Sequence, residues 1–338
     1  MTASTTRLRA LALTAALIAL PFLATGKSAV NTFCYLGIMA IFALSYNVLL
    51  GQTGLLSLGH GVFFGFGGFF TILAIRKLTE WGWAVPLPLL PLFGAAGALV
   101  FGAAFGWISA RRDGMAFAMI SLGLGELVHA ASFILPSFFG GEEGKSIDRT
   151  AFGNVFGWDF GSPSQMYCVI AAWLLITLAC LRFVSSTPYG MLANAVRENA
   201  ERAEFLGFKP ARIRFIACLI AAFFAGIAGS LAALNFEIMT TADISAEQST
   251  MVLLMTYVGG IQQLFGPVVG AVVIGSMRIW LSDITPAWQL YLGLLFVVIV
   301  MREPRGLMGV LQSGWMLVRR PRSAFRRLHA GLPLGGER

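Results

Sequence analysis

Long apolar runs dominate this chain and leave little freedom about its fold. A helix needs about 20 consecutive apolar residues to cross the hydrocarbon core of a bilayer. Runs of that order occupy residues 8–25, 30–50, 55–75, 85–109, 115–136, 166–185 and 214–235, with a shorter one at 287–301. A broken pair, 250–262 and 266–282, precedes the last of them. The reading is an all-α integral membrane protein of about ten transmembrane helices, with residues 1–301 forming one membrane domain and 302–338 a basic tail. Composition agrees: 57% of the 338 residues are hydrophobic, 12% are charged and mean hydropathy is +0.78. A soluble domain carries about 25% charged residues.

The first run follows Arg7 and Arg9. It is either a cleavable secretory segment, with small residues near Ala24, or an uncleaved first span. Retaining it preserves the alternation of loops that follows. Lys and Arg concentrate in short cytoplasmic loops. With the N-terminus inside, Arg7, Arg9, Arg111, Arg112, Arg197, Arg202, Lys209, Arg212, Arg214 and the tail from Arg302 share the cytoplasmic side. The other side takes Lys27, Arg76, Lys77, Lys145 and Arg149 together with most acids: Glu80, Glu142, Glu143, Asp148, Asp159, Glu237, Asp243, Glu247 and Asp283. Ten crossings place both termini in the cytoplasm. The net charge of +8 therefore reads as topology, not as a nucleic-acid surface. The tail, centred on GWMLVRRPRSAFRRL, is either a basic segment held on anionic membrane lipid or a solvated extension.

Enzyme chemistry finds no foothold. Cys34, Cys168, Cys180 and Cys218 all fall in apolar runs without metal-ligand spacing. Ser57 and His60 stand at i, i+3 with no acid to orient the histidine. The phosphate-binding G-x-x-x-x-G-K-[ST] pattern is absent from the sequence, so no cofactor or metal is expected.

Two glycine-rich breaks stand out. The first, GQTGLLSLGHGVFFGFGG at Gly51–Gly68, puts Gln52, Ser57 and His60 among seven glycines. Its opening GQTGLLSLG is poorly helical. Irregular backbone at membrane depth is tolerated where protein buries it or a cavity meets it. Gly61, Gly65 and Gly68 then fall on one helical face, which serves either helix packing alone or packing beside a pathway. The second, YVGGIQQLFGPVVGAVVIG at Tyr257–Gly275, holds Gly259, Gly260 and Gly266. Interrupted segments at corresponding positions in two halves point to a transport pathway. Residues 30–136 and 166–301 would be the two pseudo-repeated halves.

The longest cytoplasmic loop, 186–214, is also the most charged. Ala193–Leu206 has helix-forming composition, with Ala195, Ala203 and Leu206 as an apolar face and Arg197, Glu198, Glu201, Arg202 and Glu204 as mixed-sign charge. Gly207 supplies a C-terminal stop and Pro210 prevents continuation. A short surface helix ended by a sharp glycine turn reads as a docking element.

This loop resembles the EAA-type coupling loop of bacterial ABC importer permeases. The fuller VRENAERAEFLGF is similar to that of the branched-chain amino acid type. GQTGLLSLGHGVFFGFGGF, MISLGLGEL (Met119–Leu127) and FFGGEEGKS resemble further segments of that family in the same order. The chain is accordingly identified as a LivM-type inner-membrane permease subunit. It departs from the pattern at Gln262 and Gln263, at His129 and in the acidic GGEEGKSIDR loop.

The resemblance implies two ATP-binding subunits, a LivH-like sister permease and a periplasmic solute-binding protein as partners. ATP would be hydrolysed by the ATP-binding subunits alone. Arg197, Glu198, Glu201, Glu204 and Gly207 would couple the ATPases to the spans. Gln52, Ser57, His60, Glu126, Gly259, Gly260 and Gly266 would lie at the pathway or its gate. Glu142, Glu143 and Asp148 would meet the binding protein. Glu126 has three readings: a structural pair with a polar group on another helix, a substrate contact, or a proton relay. Glu126 is taken as the only acid deep in the bilayer, with no arginine mid-span. Such a wall suits a small neutral solute with an apolar part, a branched-chain amino acid on the resemblance. Urea, short amides or aromatic acids remain the alternative, and a proton-coupled secondary transporter would not need the docking loop.

Overall fold

The structure is a computed structural model and describes residues 27–83, 85–148, 162–261, 263–302 and 306–309. The expected span 8–25 with Arg7, Arg9 and Ala24, the tail beyond 309, and Arg149, Asp159 and Gln262 lie outside the described residues.

Every apolar run within the described residues becomes a helix. In chain order these are α1 (Lys27–Asn47), α2 (Gly61–Glu80), α3 (Leu90–Ser109), α4 (Gly114–Ile134), the one-turn α5 (Pro136–Phe139), α6 (Pro163–Ser186), α7 (Pro188–Glu198), α8 (Ala200–Phe205), α9 (Pro210–Phe236), α10 (Ala246–Gly259), α11 (Gly266–Ile284) and α12 (Trp288–Arg302). Seven helical stretches are long and apolar enough to cross a membrane. α10, at 14 residues, and α12, at 15, are shorter. Proline fixes many of the starts. Pro91, Pro163, Pro188, Pro210 and Pro267 sit in the first two positions of their helices, where the missing N–H costs no helical bond.

α9 is the central helix, packed on α1, α2 and α3. Glycine lets these backbones touch: a Cβ on Gly67 of α2 would lie 2.5 Å from the Gly226 Cα of α9, and one on Gly229 would overlap the Phe64 carbonyl. Lipid supplies no hydrophobic drive between helices, so close approach and interhelical hydrogen bonds hold the crossing. Thr71 of α2 donates to Ser230 of α9 at 2.8 Å. The expected glycine face of α2 also packs. Gly61 meets Ser245 and Ser249, Gly65 meets Ile244, and Gly68 meets Met239. Packing therefore uses this face fully.

A short antiparallel pair, β1 (Lys145–Ser146) with β2 (Ile238–Met239), ties the α5–α6 connection to the segment just after α9. The Ile147 N–H extends the tie to the Glu237 carbonyl at 2.9 Å. Lys145 is buried there and donates to the Ser137 carbonyl. Burial, helped by the nearby Arg76, pushes its ammonium below the ordinary lysine range.

The alternating helices gather Arg111, Arg112, Arg197, Arg202, Lys209, Arg212, Arg214 and Arg302 at one end of the bundle. Arg76, Lys77, Lys145 and the acids Glu80, Glu142, Glu143, Asp148, Glu237 and Asp283 gather at the other. Arg214, nearly buried, pairs with Asp113 at 3.0 Å and fastens the α3–α4 turn to the start of α9.

The docking loop differs from its expected form. Instead of one helix over Ala193–Leu206, α7 and α8 are separated at Asn199, whose backbone is extended (φ −158°, ψ 103°). The cause is local: the Asn199 side chain accepts the Arg202 N–H and caps α8, a role asparagine fills better than a helix interior. The break also rotates the apolar face. Ala193, Val196, Ala203 and Ile213 form the small buried cluster, whereas Ala195 and Leu206 face outward. The Gly207 stop is as expected, with φ +87° and the Phe208 N–H returning to the Ala203 carbonyl at 3.1 Å.

Candidate functional site

The first glycine-rich break is not simply unwound. Val48–Thr53 continues α1 as a wider π-helical turn, closed by Gly54 in the left-handed region (φ +72°). π-turns cluster at functional sites because they push one residue's groups out of register. Here they turn Gly51 and Gln52 toward two other elements. The Arg197 guanidinium of α7 donates Nη1–H to the Gly51 carbonyl at 2.6 Å. The Gln52 amide donates to Ser185 Oγ at the end of α6 at 2.9 Å. On the remaining side stands the second break, whose Ile261 carbonyl lies 2.7 Å from where a Gly51 Cβ would be.

These elements enclose a polar cavity of about 680 Å³ lined by Asn47, Gln52, Asn194, Arg197, Glu198 and Gln263, among others. Asn47 Oδ1 and Gln52 Oε1 are buried without a hydrogen-bond partner among the described residues. The two breaks that the sequence set 200 residues apart thus meet at one place, beside α7. Gly260 holds the second break open with φ +114°. Its neighbours Gly259 and Gly266 touch so closely that a Cβ on Gly259 would overlap the Gly266 carbonyl.

His60 and Ser57 lie elsewhere, fully buried. The His60 ring sits against Phe42, Tyr46 and Phe63, with centroids 5.0–5.4 Å apart. Its Nε2 is 3.0 Å from Ser45 Oγ, not bonded to Ser57. Ser45 Oγ is also 2.7 Å from the Phe42 carbonyl. Ser57 Oγ and His60 Nδ1 have no partner among the described residues.

The remaining expected residues disperse. Glu126 lies on an open face of α4, half exposed, with its carboxylate 3.9 Å from the His129 imidazole of its own helix. The structure supplies no partner on another helix among the described residues. Glu201, Glu204 and Gly207 are exposed on α8 and its turn, beside Phe205 at 90% exposure and Leu206 at 70%. Glu142, Glu143 and Asp148 are exposed at the opposite end of the bundle.

One expectation is overturned. An arginine does occupy a span: Arg278 lies within α11, six residues from its end at Ile284. The apolar run 266–282 contains it, and the aliphatic stretch VVGAVVI before it keeps the hydropathy of the whole run high. It lines a second cavity, of about 750 Å³, at the end of the bundle away from α7. α1 connects the two. It contributes Tyr35 and Met39 to this outer cavity, Phe42, Ser45 and Tyr46 to the His60 box, and Asn47 to the inner cavity. From Met39 to Asn47 the rise is about 12 Å.

Comparison with known proteins gives a consistent answer. Residues 28–301 match the family model described as "Branched-chain amino acid transport system / permease component". The chain is 30% identical over 312 residues to the high-affinity branched-chain amino acid transport system permease protein LivM of Salmonella typhimurium, covering 86% of this chain and 72% of that one. The LivM protein of Escherichia coli is 28% identical over the same shares. Escherichia coli LivH is 23% identical over 261 residues, 70% of this chain and 79% of LivH. No solved structure matches. With the family model matching 28–301, well over half of the chain, this chain belongs to the permease components of branched-chain amino acid transport systems.

Proposed function

We propose that this chain is the membrane-spanning subunit of an ATP-driven importer for branched-chain amino acids, working in a bacterial inner membrane with both termini cytoplasmic. Ten crossings and two pseudo-repeated halves complete the topology. The seat of α7 on the π-helical turn carries the reading: Arg197 reaches from a charged surface helix to the backbone of the first break. A device that converts nucleotide-driven motion into a change of the pathway needs such a link. A proton-coupled secondary transporter has no use for it.

In this reading two ATP-binding subunits dock on Glu198, Glu201, Glu204 and the exposed Phe205 and Leu206. The chain itself binds no ATP and no other cofactor. Motion of α7 then shifts Gly51 and Gln52 against Gly259, Gly260 and Gly266, which form the inner gate. The His60 box is the dry layer between the two cavities. A periplasmic solute-binding protein meets Glu142, Glu143 and Asp148. Glu126 faces the passage shared with a LivH-like sister permease, and the remaining apolar faces meet lipid. The membrane domain runs to residue 301 and the basic tail follows.

Reconstitution tests the whole reading. Liposomes holding this chain, its sister permease and the two ATP-binding subunits should take up leucine only with ATP and the solute-binding protein. Uptake by this chain and the binding protein alone would refute it. Calorimetry on the binding protein decides the substrate: leucine supports the reading, and urea or an aromatic acid in its place overturns that part.

A further inference from the structure

The second cavity, the outer one, is lined by two charged side chains, Arg278 and Asp243, whose contacts within the protein use only part of their hydrogen-bonding capacity. An arginine within a span is costly unless its charge is met. Arg278 Nη1 donates to the Tyr35 hydroxyl oxygen at 3.1 Å. The guanidinium lies over the Tyr35 and Trp288 rings at 5.9 and 5.4 Å. Those contacts occupy its faces and one N–H of five. Among the described residues no carboxylate comes within 4.0 Å of it, and Arg278 is itself part of the cavity lining.

Asp243 lines the same cavity. It sits on the 3₁₀ turn Thr241–Ile244, and its Oδ2 takes the N–H and hydroxyl of Thr240. Oδ1 has no such bond among the described residues. Burial pushes this carboxyl above the ordinary aspartate range, against the pull of Thr240 and Arg278. The turn is seated on α2: Ile244 lies against Gly65, and Met239, which precedes the turn, lies against Gly68. Met39, Phe64 and Met239 supply an apolar wall, and the volume is within the about 300–1,000 Å³ usual for small-molecule sites.

We propose that this cavity is a binding site for an α-amino acid zwitterion, its carboxylate held by Arg278, its ammonium by Asp243 and its side chain by the Met39–Phe64 wall. The planar guanidinium fork matches a carboxylate in two-bond geometry, and a single aspartate oxygen suits an ammonium. Urea and short amides bring no charge to offset desolvation of either group. A dicarboxylate or phosphate would leave Asp243 facing an anion. The inference rests on the amino-acid importer reading and adds a permease-borne site to the recognition assigned there to the binding protein.

The test is equilibrium dialysis of radiolabelled leucine against the complete importer in nanodiscs, without binding protein. Leucine should bind saturably. Leucinamide, lacking the carboxylate, and 4-methylpentanoate, lacking the ammonium, should compete about tenfold less well, the effect of losing one charge-assisted hydrogen bond. Arg278→Gln should weaken leucine binding by a similar factor and erase the preference over leucinamide, and Arg278→Lys should restore part of both. Size-exclusion co-elution with the partner subunits checks assembly. Asp243→Asn gives the matching result for 4-methylpentanoate, and Asp243→Glu keeps the charge should the Thr240 cap fail. Leucine binding that is absent, indifferent to both analogues, or unchanged in Arg278→Gln overturns the proposal. If the binding protein takes leucine in that case, the importer reading stands. If it takes only an uncharged solute, the substrate reading falls as well.

Discussion

Arg197 and Gly51, 146 residues apart in the chain, are joined by a 2.6 Å hydrogen bond from guanidinium to carbonyl. The bond links a surface helix to a backbone group freed by a π-turn, so the side chain and the irregular backbone explain each other. A hydrogen bond to a charged group contributes about 1.5–3 kcal/mol. Arg197→Ala should therefore lower ATP-driven uptake severalfold or more with the membrane subunits still assembled. Lysine, lacking the fork, should recover it only in part. Full uptake by the alanine variant in the reconstituted importer would remove Arg197 from the coupling path.

The α2–α9 crossing makes a stability prediction. Gly67→Leu would drive a side chain into the Gly226 backbone, which is already at contact distance. Overpacking of this kind costs about 1–3 kcal/mol or more. The variant should lose thermal stability and membrane yield. Gly123→Leu, where a Cβ meets nothing within 4 Å in this chain, should keep the fold of the isolated chain. Equal yields for the two would contradict the crossing.

Gly207 stands at φ +87° with open space around its Cα. A side chain there is opposed by backbone strain of about 1–2 kcal/mol, not by a clash. Gly207→Val should thus impair coupling by redirecting α8, while Gly207→Asn, which tolerates the left-handed region, should retain it. Substrate-stimulated ATPase activity separates the two variants; identical wild-type rates would sink the prediction.

Topology follows from the charge partition. Reporter fusions at Glu142 and at Lys209 should be on opposite sides of the membrane, with Lys209 cytoplasmic. Finding both on one side would break the alternation.

The seven long apolar helices among the described residues were legible because hydropathy is a local signal, and so were the glycine breaks and the stop at Gly207. The meeting of Gly51 with Arg197 was not, since nothing in either segment names the other. The Asn199 break was misread although its signal was present: an asparagine three residues before Arg202, with Glu201 in the first turn, is a helix start. Helix-forming composition on both sides concealed it. Arg278 was lost for the opposite reason, a single charge averaged away by its apolar neighbours. The aromatic box around His60 depends on three rings from two helices and emerges only once the helices are packed.

The two-residue ladder between Lys145 and Met239 has a mechanical consequence. It fixes the acidic 142–148 loop to the residues directly following α9, an unbroken helix of 27 residues. The far end of that helix receives the Tyr189 hydroxyl of α7 at the Ile213 carbonyl. A load on the loop and a load on the surface helices therefore press on opposite ends of one rod, about 40 Å long.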